Sequence, residues 1–235
     1  MSKSYRYFDL VMVAFVCILM TSNIASSAKI IDWKTSLWGL PLSFDAGTLL
    51  FPVSYIFGDI LTEVYGYARS RRVIWAGFGA ALVMSLYLWL VGILPGEAQW
   101  QTYAGDAAYS AILGGVSSGG IIIASLAAYF AGEFSNSFVL AKMKIATAGK
   151  YLWTRTIGST FVGQAIDTTA FMLIATLFGV FPWEIFVSLL VTNYIFKVAI
   201  EVLFTPLTYA VTGFLKKAEQ EDYFDRGTNF NPFRF

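Results

Sequence analysis

Tyr55, Asp59 and Glu63 are spaced four residues apart inside one apolar run, so a helix there presents a phenol and two carboxylates on a single face. Stacked carboxylates repel unless a cation, a proton or a hydrogen-bond donor lies between them. That chemistry suits a substrate or proton site; for Glu63 the alternative is an interfacial residue meeting Arg69 or Arg71. Asn193, Lys197 and Glu201 repeat the spacing in the last apolar run, where Lys197 either neutralises Glu201 or faces Asp59 or Asp167 across a bundle. Gln164 and Asp167, three apart, offer an amide and a carboxylate that together donate and accept towards a planar heterocycle. Asn23 and Asn136 sit at the ends of apolar runs, as helix caps or as polar site residues, and Arg155 fits a surface role near a membrane mouth. A charged side chain within a bilayer costs about 2.5–3.5 kcal/mol on insertion scales. Asp59, Glu63, Asp167, Lys197 and Glu201 therefore point to a polar solute or ion passing through.

Long apolar helices are needed to hold such residues. The chain has 235 residues, 57% hydrophobic and 13% charged, against roughly 25% charged in a soluble domain, and its mean hydropathy is +0.64. Six runs, at about 8–28, 44–66, 73–94, 112–139, 155–180 and 185–214, are long enough to cross a membrane as helices. The expected fold class is an all-α membrane protein with six transmembrane helices over residues 1–217, followed by a short cytoplasmic tail, 218–235. Pro41, Pro95 and Pro182 fall in the gaps, where helix breakers belong. Lys3, Arg6, Arg69, Arg71, Arg72, Lys142, Lys144, Lys150, Arg155, Lys216 and Lys217 all lie on one side of this arrangement, which places both termini in the cytoplasm. Lys3, Arg6 and the small residues Ala25 to Ala28 also imitate a cleavable leader, an alternative that would remove Asn23 and leave five spans. Gly114, Gly115, Gly119 and Gly120 read as a close helix–helix contact, internal or across a homodimer.

The chain echoes itself. Ser22-Asn23 precedes Ala28-Lys29 at the same spacing as Ser135-Asn136 precedes Ala141-Lys142, and Asp59 in the second run parallels Asp167 in the fifth. Three spans separate the copies, so they point in opposite directions across the membrane. Two inverted three-helix repeats, 8–94 and 112–213, are the arrangement that many carriers use to build a substrate site at the repeat interface.

Composition removes several classes of function. Net charge is +1 with no basic cluster, which argues against a nucleic-acid partner. There is no His, and Cys17 is the sole cysteine, so zinc sites, Ser-His and Cys-His nucleophiles and intrachain disulfides are excluded, and no metal or cofactor is expected. No phosphate-binding G-x-x-x-x-G-K-[ST] loop is present, so the chain does not power itself with ATP. An intramembrane aspartyl protease using Asp59 and Asp167 is the enzymatic alternative, but Ile56 stands where the glycine before Gly58-Asp59 should be.

Three groups of residues resemble the queuosine precursor transporter family, also described as vitamin uptake transporters. They are Phe51-Pro52, Tyr55, Asp59, Thr62-Glu63, Tyr65-Gly66 and Arg71; Gly132-Glu133-Phe134, Asn136-Ser137, Lys142 and Lys144; and Arg155, Ser159-Thr160, Gly163-Gln164 and Asp167-Thr168. The closing Asn229-Phe230-Asn231-Pro232-Phe233 is similar to family tails. The resemblance covers about residues 8–213 and implies import of 7-deazaguanine precursors of a tRNA nucleoside across the bacterial inner membrane by alternating access. A buried carboxylate (Glu63, Asp59 or Asp167) would take two N–H donors of the base while Gln164, Asn136 or Lys197 donates to its O6. Phe51, Tyr55 and Trp153 are the candidates to stack on the ring. The different reading within transport is a substrate-binding membrane subunit of an ATP-driven vitamin-type uptake system.

Overall fold

The computed structural model describes residues 4–37 and 40–234 and is a helical bundle with one short hairpin. Its helices are α1 (Phe8–Ala28), α2 (Phe51–Tyr65), α3 (Tyr67–Ile93), α4 (Ala98–Tyr103), α5 (Gly105–Ser117), α6 (Gly119–Ala146), α7 (Leu152–Leu177) and α8 (Phe186–Glu219). Among the described residues, five helical segments are long and apolar enough to cross a membrane: α1, α3, α5 with α6, α7 and α8. The chain is a multi-pass membrane protein.

The second expected span is where the structure differs most. Residues Ile30–Leu37 and Leu40–Asp45 pair as antiparallel strands β1 and β2, and a 3₁₀ turn over Ala46–Leu49 follows. Helix α2 begins only at Phe51, with Pro52 in its first turn, where a missing N–H costs nothing. Its 15 residues reach about 22 Å at 1.5 Å each, short of a hydrocarbon core of about 30 Å. Twelve of the 15 are buried, because α1, α3, α6 and α8 all pack on this helix. Sheathed in protein, it does not have to match the lipid thickness by itself.

The fourth expected span is broken. Ser118, at φ −83° and ψ 134°, separates α5 from α6, in a run of Ser and Gly that helices disfavour. The glycines here serve two different contacts. A Cβ on Gly115 would lie 2.7 Å from Ser27 Oγ of α1, whereas one on Gly120 would lie 2.9 Å from Phe178, just past α7; Gly114 and Gly119 face open space.

The tightest packing in the bundle is between α6 and α7. A Cβ on Gly132 would lie 2.6 Å from Asp167 Cβ and 3.3 Å from the Gly163 carbonyl; one on Gly163 would lie 2.7 Å from Asn136 Cβ and 3.3 Å from the Gly132 carbonyl. Gly132 and Asn136 on one helix thus mirror Gly163 and Asp167 on its antiparallel neighbour. Small residues let the backbones approach, and each polar residue is set beside the facing glycine. The apolar core joins α1, α2, α3 and α8 through Phe15, Leu19, Ile60, Val64, Val73 and Leu215.

Residues 5–7 and 219–221 meet at one end of the bundle, the basal end. Glu219, near the end of α8, accepts hydrogen bonds from the backbone N–H groups of Arg6 and Tyr7 at 2.9 and 2.6 Å, just ahead of α1. A carboxylate at that point answers both the unpaired amides and the positive pole of the helix. The tail does not drift over the surface. Tyr223 N–H donates to the Val64 carbonyl, and Gly66, at φ +84°, has no room for a Cβ beside the Tyr223 ring. Arg71 donates to the carbonyls of Asn229 and Asn231, and Trp75 to that of Pro232. The tail straps α2, α3 and α6 together.

Asp222 anchors the first part of that strap to Lys144 and Lys216, at 2.5 and 2.8 Å. Partial burial pushes its carboxyl up, but the hydrogen bonds from the two lysines outweigh burial and hold it below its ordinary value. A depressed carboxylate pKa contributes stability above its unfolded value, about 3.9, and that contribution disappears as pH falls through the folded value. Protection factors over residues 220–224, exchange rates corrected for their intrinsic pH dependence, are expected to be high at neutral pH and to fall below about pH 4. In Asp222→Asn protection at Glu221 and Tyr223 should be low at both pH values, while the Asn231 amide, bonded to Asn229 Oδ1, keeps its wild-type protection.

Candidate functional site

Polar residues in the interior form three groups along α2. The lowest, at the basal end, is built on Glu63. Arg155 grips it with two hydrogen bonds, Nε to Oε2 and Nη2 to Oε1, both 2.7 Å. Lys216 donates to Oε1 at 2.5 Å, and Lys144 lies 3.5 Å from the same oxygen while donating to the Glu63 backbone carbonyl. The partners are thus neither Arg69 nor Arg71. Arg155 is not a surface residue either: α7 starts at Leu152, a turn earlier than the sequence suggests, so the guanidinium enters the bundle and is 1% exposed. Both carboxylate oxygens of Glu63 are already occupied.

One residue before Glu63, on another face of α2, Thr62 Oγ1 meets Ser70 Oγ at 2.9 Å and Ser137 Oγ at 3.0 Å. This hydroxyl cluster ties α2, α3 and α6 together.

The central layer gathers side chains from four helices. Asp59 Oδ1 accepts from Asn136 Nδ2 at 2.7 Å. Asn136 is not at the end of a span, because α6 continues to Ala146, and it is fully buried. Lys197 donates to Asp167 at 2.6 Å, so of the partners open to it in sequence it takes this one. Thr160 donates to Glu201 at 2.5 Å. Tyr55 is buried with its hydroxyl directed at Asp167. Glu133 enters from α6 within electrostatic range of Asp59 and Asp167. Gln164 lies on the same face of α7 as Thr160 and Asp167 and is 1% exposed.

Several buried atoms of this layer have no hydrogen-bond partner among the described residues: Glu133 Oε2, Glu201 Oε2, Asn136 Oδ1, Gln164 Oε1 and Thr168 Oγ1. The first four are carboxylate or amide oxygens. Buried polar atoms ordinarily find partners, so this layer is short of hydrogen-bond donors. Other candidates lie outside it. Asn23 Nδ2 donates to the Leu19 carbonyl of its own helix at 2.8 Å. Phe51, half-buried at the start of α2, packs against the apolar core, and Trp153 is 53% exposed. A surface hollow of about 420 Å³ between Phe134, Phe138, Ile166 and Phe230 contains no charged residue and is not this site.

Sequence reasoning passed over Glu133, Lys144 and Arg155 as site residues. Glu133 gave a signal as clear as that of Asp167, a lone carboxylate in an apolar helix. For Lys144 and Arg155 the sequence offers orientation, a place in the family-like groups and, for Arg155, a surface role; α6 runs on to Ala146 and α7 starts at Leu152, which brings both inside the bundle.

Residues 45–211 match the family described as Putative vitamin uptake transporter. A protein named "Probable queuosine precursor transporter" from Bacillus subtilis (strain 168) is 25% identical over 188 residues, covering 78% of this chain and 77% of its own. The "Queuosine precursor transporter" of Escherichia coli (strain K12) is 24% identical over 212 residues, 89% of each chain. A "Probable queuosine precursor transporter" from Haemophilus influenzae is 25% identical over 167 residues, 70% of this chain and 66% of its own. No solved structure matches.

Proposed function

This chain belongs to the vitamin uptake transporter family, and from that premise we propose that it imports 7-deazaguanine-type queuosine precursors across the bacterial inner membrane. The observation that carries the proposal is the donor shortage of the central layer, where the amide oxygens of Asn136 and Gln164 are buried without a partner among the described residues. A guanine-like base supplies what is missing, since one edge is a row of N–H donors with the O6 acceptor beside it. Asp59, Asp167 and Gln164 accept from the base. Asn136 or Lys197 turns its donors to O6, and Tyr55 offers a ring at the same level. Glu63 has no free oxygen and Asn23 is bonded within its helix, so neither belongs to the recognition set. Phe51 lies at the entrance to α2 rather than beside the carboxylates.

The basal end carries Arg6, Arg69, Arg71, Lys144, Arg155 and Lys216, which supports a cytoplasmic assignment for that end. The Glu63 cage and the tail then close the cytoplasmic side, and transport requires that closure to alternate with one at the opposite end. Asp59 on α2 and Asp167 on α7 each bring one carboxylate to the layer, which supports inverted repeats over 8–94 and 112–213. The protease reading loses its footing, because Asp59 and Asp167 each have a separate donor instead of sharing a proton.

The test is uptake of radiolabelled 7-deazaguanine precursors in cells lacking their own transport and synthesis. Wild type is expected to accumulate label. Asp59→Asn and Asp167→Asn, at matched membrane abundance, should lose about ten- to a hundredfold at low substrate, the value of one or two charge-assisted hydrogen bonds. Well-expressed wild type that takes up nothing would refute the substrate class.

A further inference from the structure

In the central layer, every carboxylate but one has a donor among the described residues. Asp59 has Asn136, Asp167 has Lys197 and Glu201 has Thr160. Glu133 is the exception: it is 1% exposed and its Oε2 has no partner. The carboxylate lies against the backbone of α2, where a Cβ on Gly58 would stand 3.0 Å from Oε2. A methyl group there would push the carboxylate away from α2 by a few tenths of an ångström.

The groups around Glu133 do not neutralise it. Helix α2 presents Asp59 and Tyr55, α7 presents Asp167, α8 presents Glu201, and Tyr129 stands one turn away on α6 itself. Lys197 of α8 is committed to Asp167. Arg71 of α3, which also packs on α6, is committed to the tail carbonyls, and α5 brings only Asp106 and Tyr109, of which Tyr109 donates to the Leu88 carbonyl. Four carboxylates therefore share one ammonium group. An unpaired buried charge costs several kcal/mol, and this layer would hold three if every acid were ionised. Gln164 gives a second, independent indication. It sits on α7 between Thr160, which reaches Glu201, and Asp167, which reaches Lys197, and its buried Oε1 has no partner among the described residues. An added hydrogen on an oxygen of this layer relieves both the charge and the donor shortage.

We propose that Glu133 is the proton-coupling group of this transporter. It takes a proton from the external side when the layer is open there, holds it as a carboxylic acid O–H donating to a neighbouring oxygen while the base is bound, and releases it to the cytoplasmic side with the base. One O–H bond forms and the same bond breaks in each cycle, and the base is unchanged. The cargo rests on the preceding reading; the role of Glu133 does not depend on which base is carried.

Two measurements on purified full-length protein in liposomes test this separately from the cargo. The first is infrared spectroscopy of substrate-free protein titrated from acid to alkaline pH, wild type against Glu133→Gln. A carboxylic acid C=O band present in wild type and missing in the variant is expected; its absence in wild type overturns the proposal whatever the protein transports. The second uses a labelled 7-deazaguanine base. Wild type should concentrate it about tenfold for each unit of inside-alkaline pH gradient, the value of one proton. Glu133→Gln should keep equilibrium exchange of the base and lose gradient-driven accumulation, a split that a merely misfolded variant would not show. Exchange by wild type that ignores the pH gradient, or that follows a sodium gradient instead, overturns proton coupling and leaves the cargo standing. No exchange by wild type refutes the cargo, and the infrared band then decides the role of Glu133 alone.

Discussion

Glu63→Gln is expected to deplete the membrane of folded protein and to cost roughly 3–5 kcal/mol of stability, the scale for breaking a buried ion pair from one side. The reason is a count of charge at the basal end. Arg155, Lys144 and Lys216 converge on Glu63, and Asp222 is the second acid in contact with the two lysines. Removing one negative charge leaves three cations facing Asp222 alone, and the Arg155 guanidinium, 1% exposed, cannot swing out to water. Thermal unfolding of detergent-purified protein and abundance in the membrane are the readouts. Transport per folded molecule should change far less than abundance, which separates this role from substrate binding. The double variant Glu63→Met with Arg155→Met should be less damaged than the sum of the two singles, because it removes the buried charge together with its partner. A Glu63→Gln protein as stable as wild type but inactive would place Glu63 in the substrate site after all.

Gly132→Ala is expected to cost about 1–3 kcal/mol, the usual penalty for overfilling a packed interface, and to reduce uptake even when the protein remains folded. The added methyl would stand 2.6 Å from Asp167 Cβ and 3.3 Å from a backbone oxygen, so it cannot be relieved by turning one side chain. Helices α6 and α7 must part, and parting them moves Asn136 and Asp167, which lie beside the facing glycines. Gly163→Ala forces the same separation from the opposite helix. The two substitutions together should therefore cost less than their sum, since one displacement accommodates both methyls. Full additivity would show that each glycine is tolerated by a separate local adjustment.

The extent to which this protein is legible in its sequence follows from the range of each signal. Asp59, Asp167 and Lys197 stand out because a charge inside an apolar run is a local fact, visible without knowing what surrounds it. Helical spacing also put Tyr55 and Asp59 on one face correctly. What a face meets is not local. Glu63 finds Arg155 92 positions away and Lys216 153 away, and nothing in the neighbourhood of Glu63 marks them over Arg69 and Arg71. Hydropathy likewise located the runs but not their ends. Residues 44–50 are apolar enough to extend a span, yet they finish a strand and a 3₁₀ turn, because Pro52 favours starting a helix at that point. The small residues around Ser118 were read for packing alone and also mark a break in the backbone.

The bond from Glu219 to the amides of Arg6 and Tyr7 has a consequence for biogenesis. Helix α1 leaves the ribosome first, but the carboxylate that completes its N-terminal end is made more than two hundred residues later. At ordinary translation speeds that interval is roughly ten to forty seconds, vastly longer than helix formation itself. For that time α1 resides in the membrane with its leading amides served by water. Its final seat closes only after the last helix has been inserted. A chain cut short before Glu219 would therefore expose an unfinished first helix, giving quality control at the N-terminus a signal about the C-terminus.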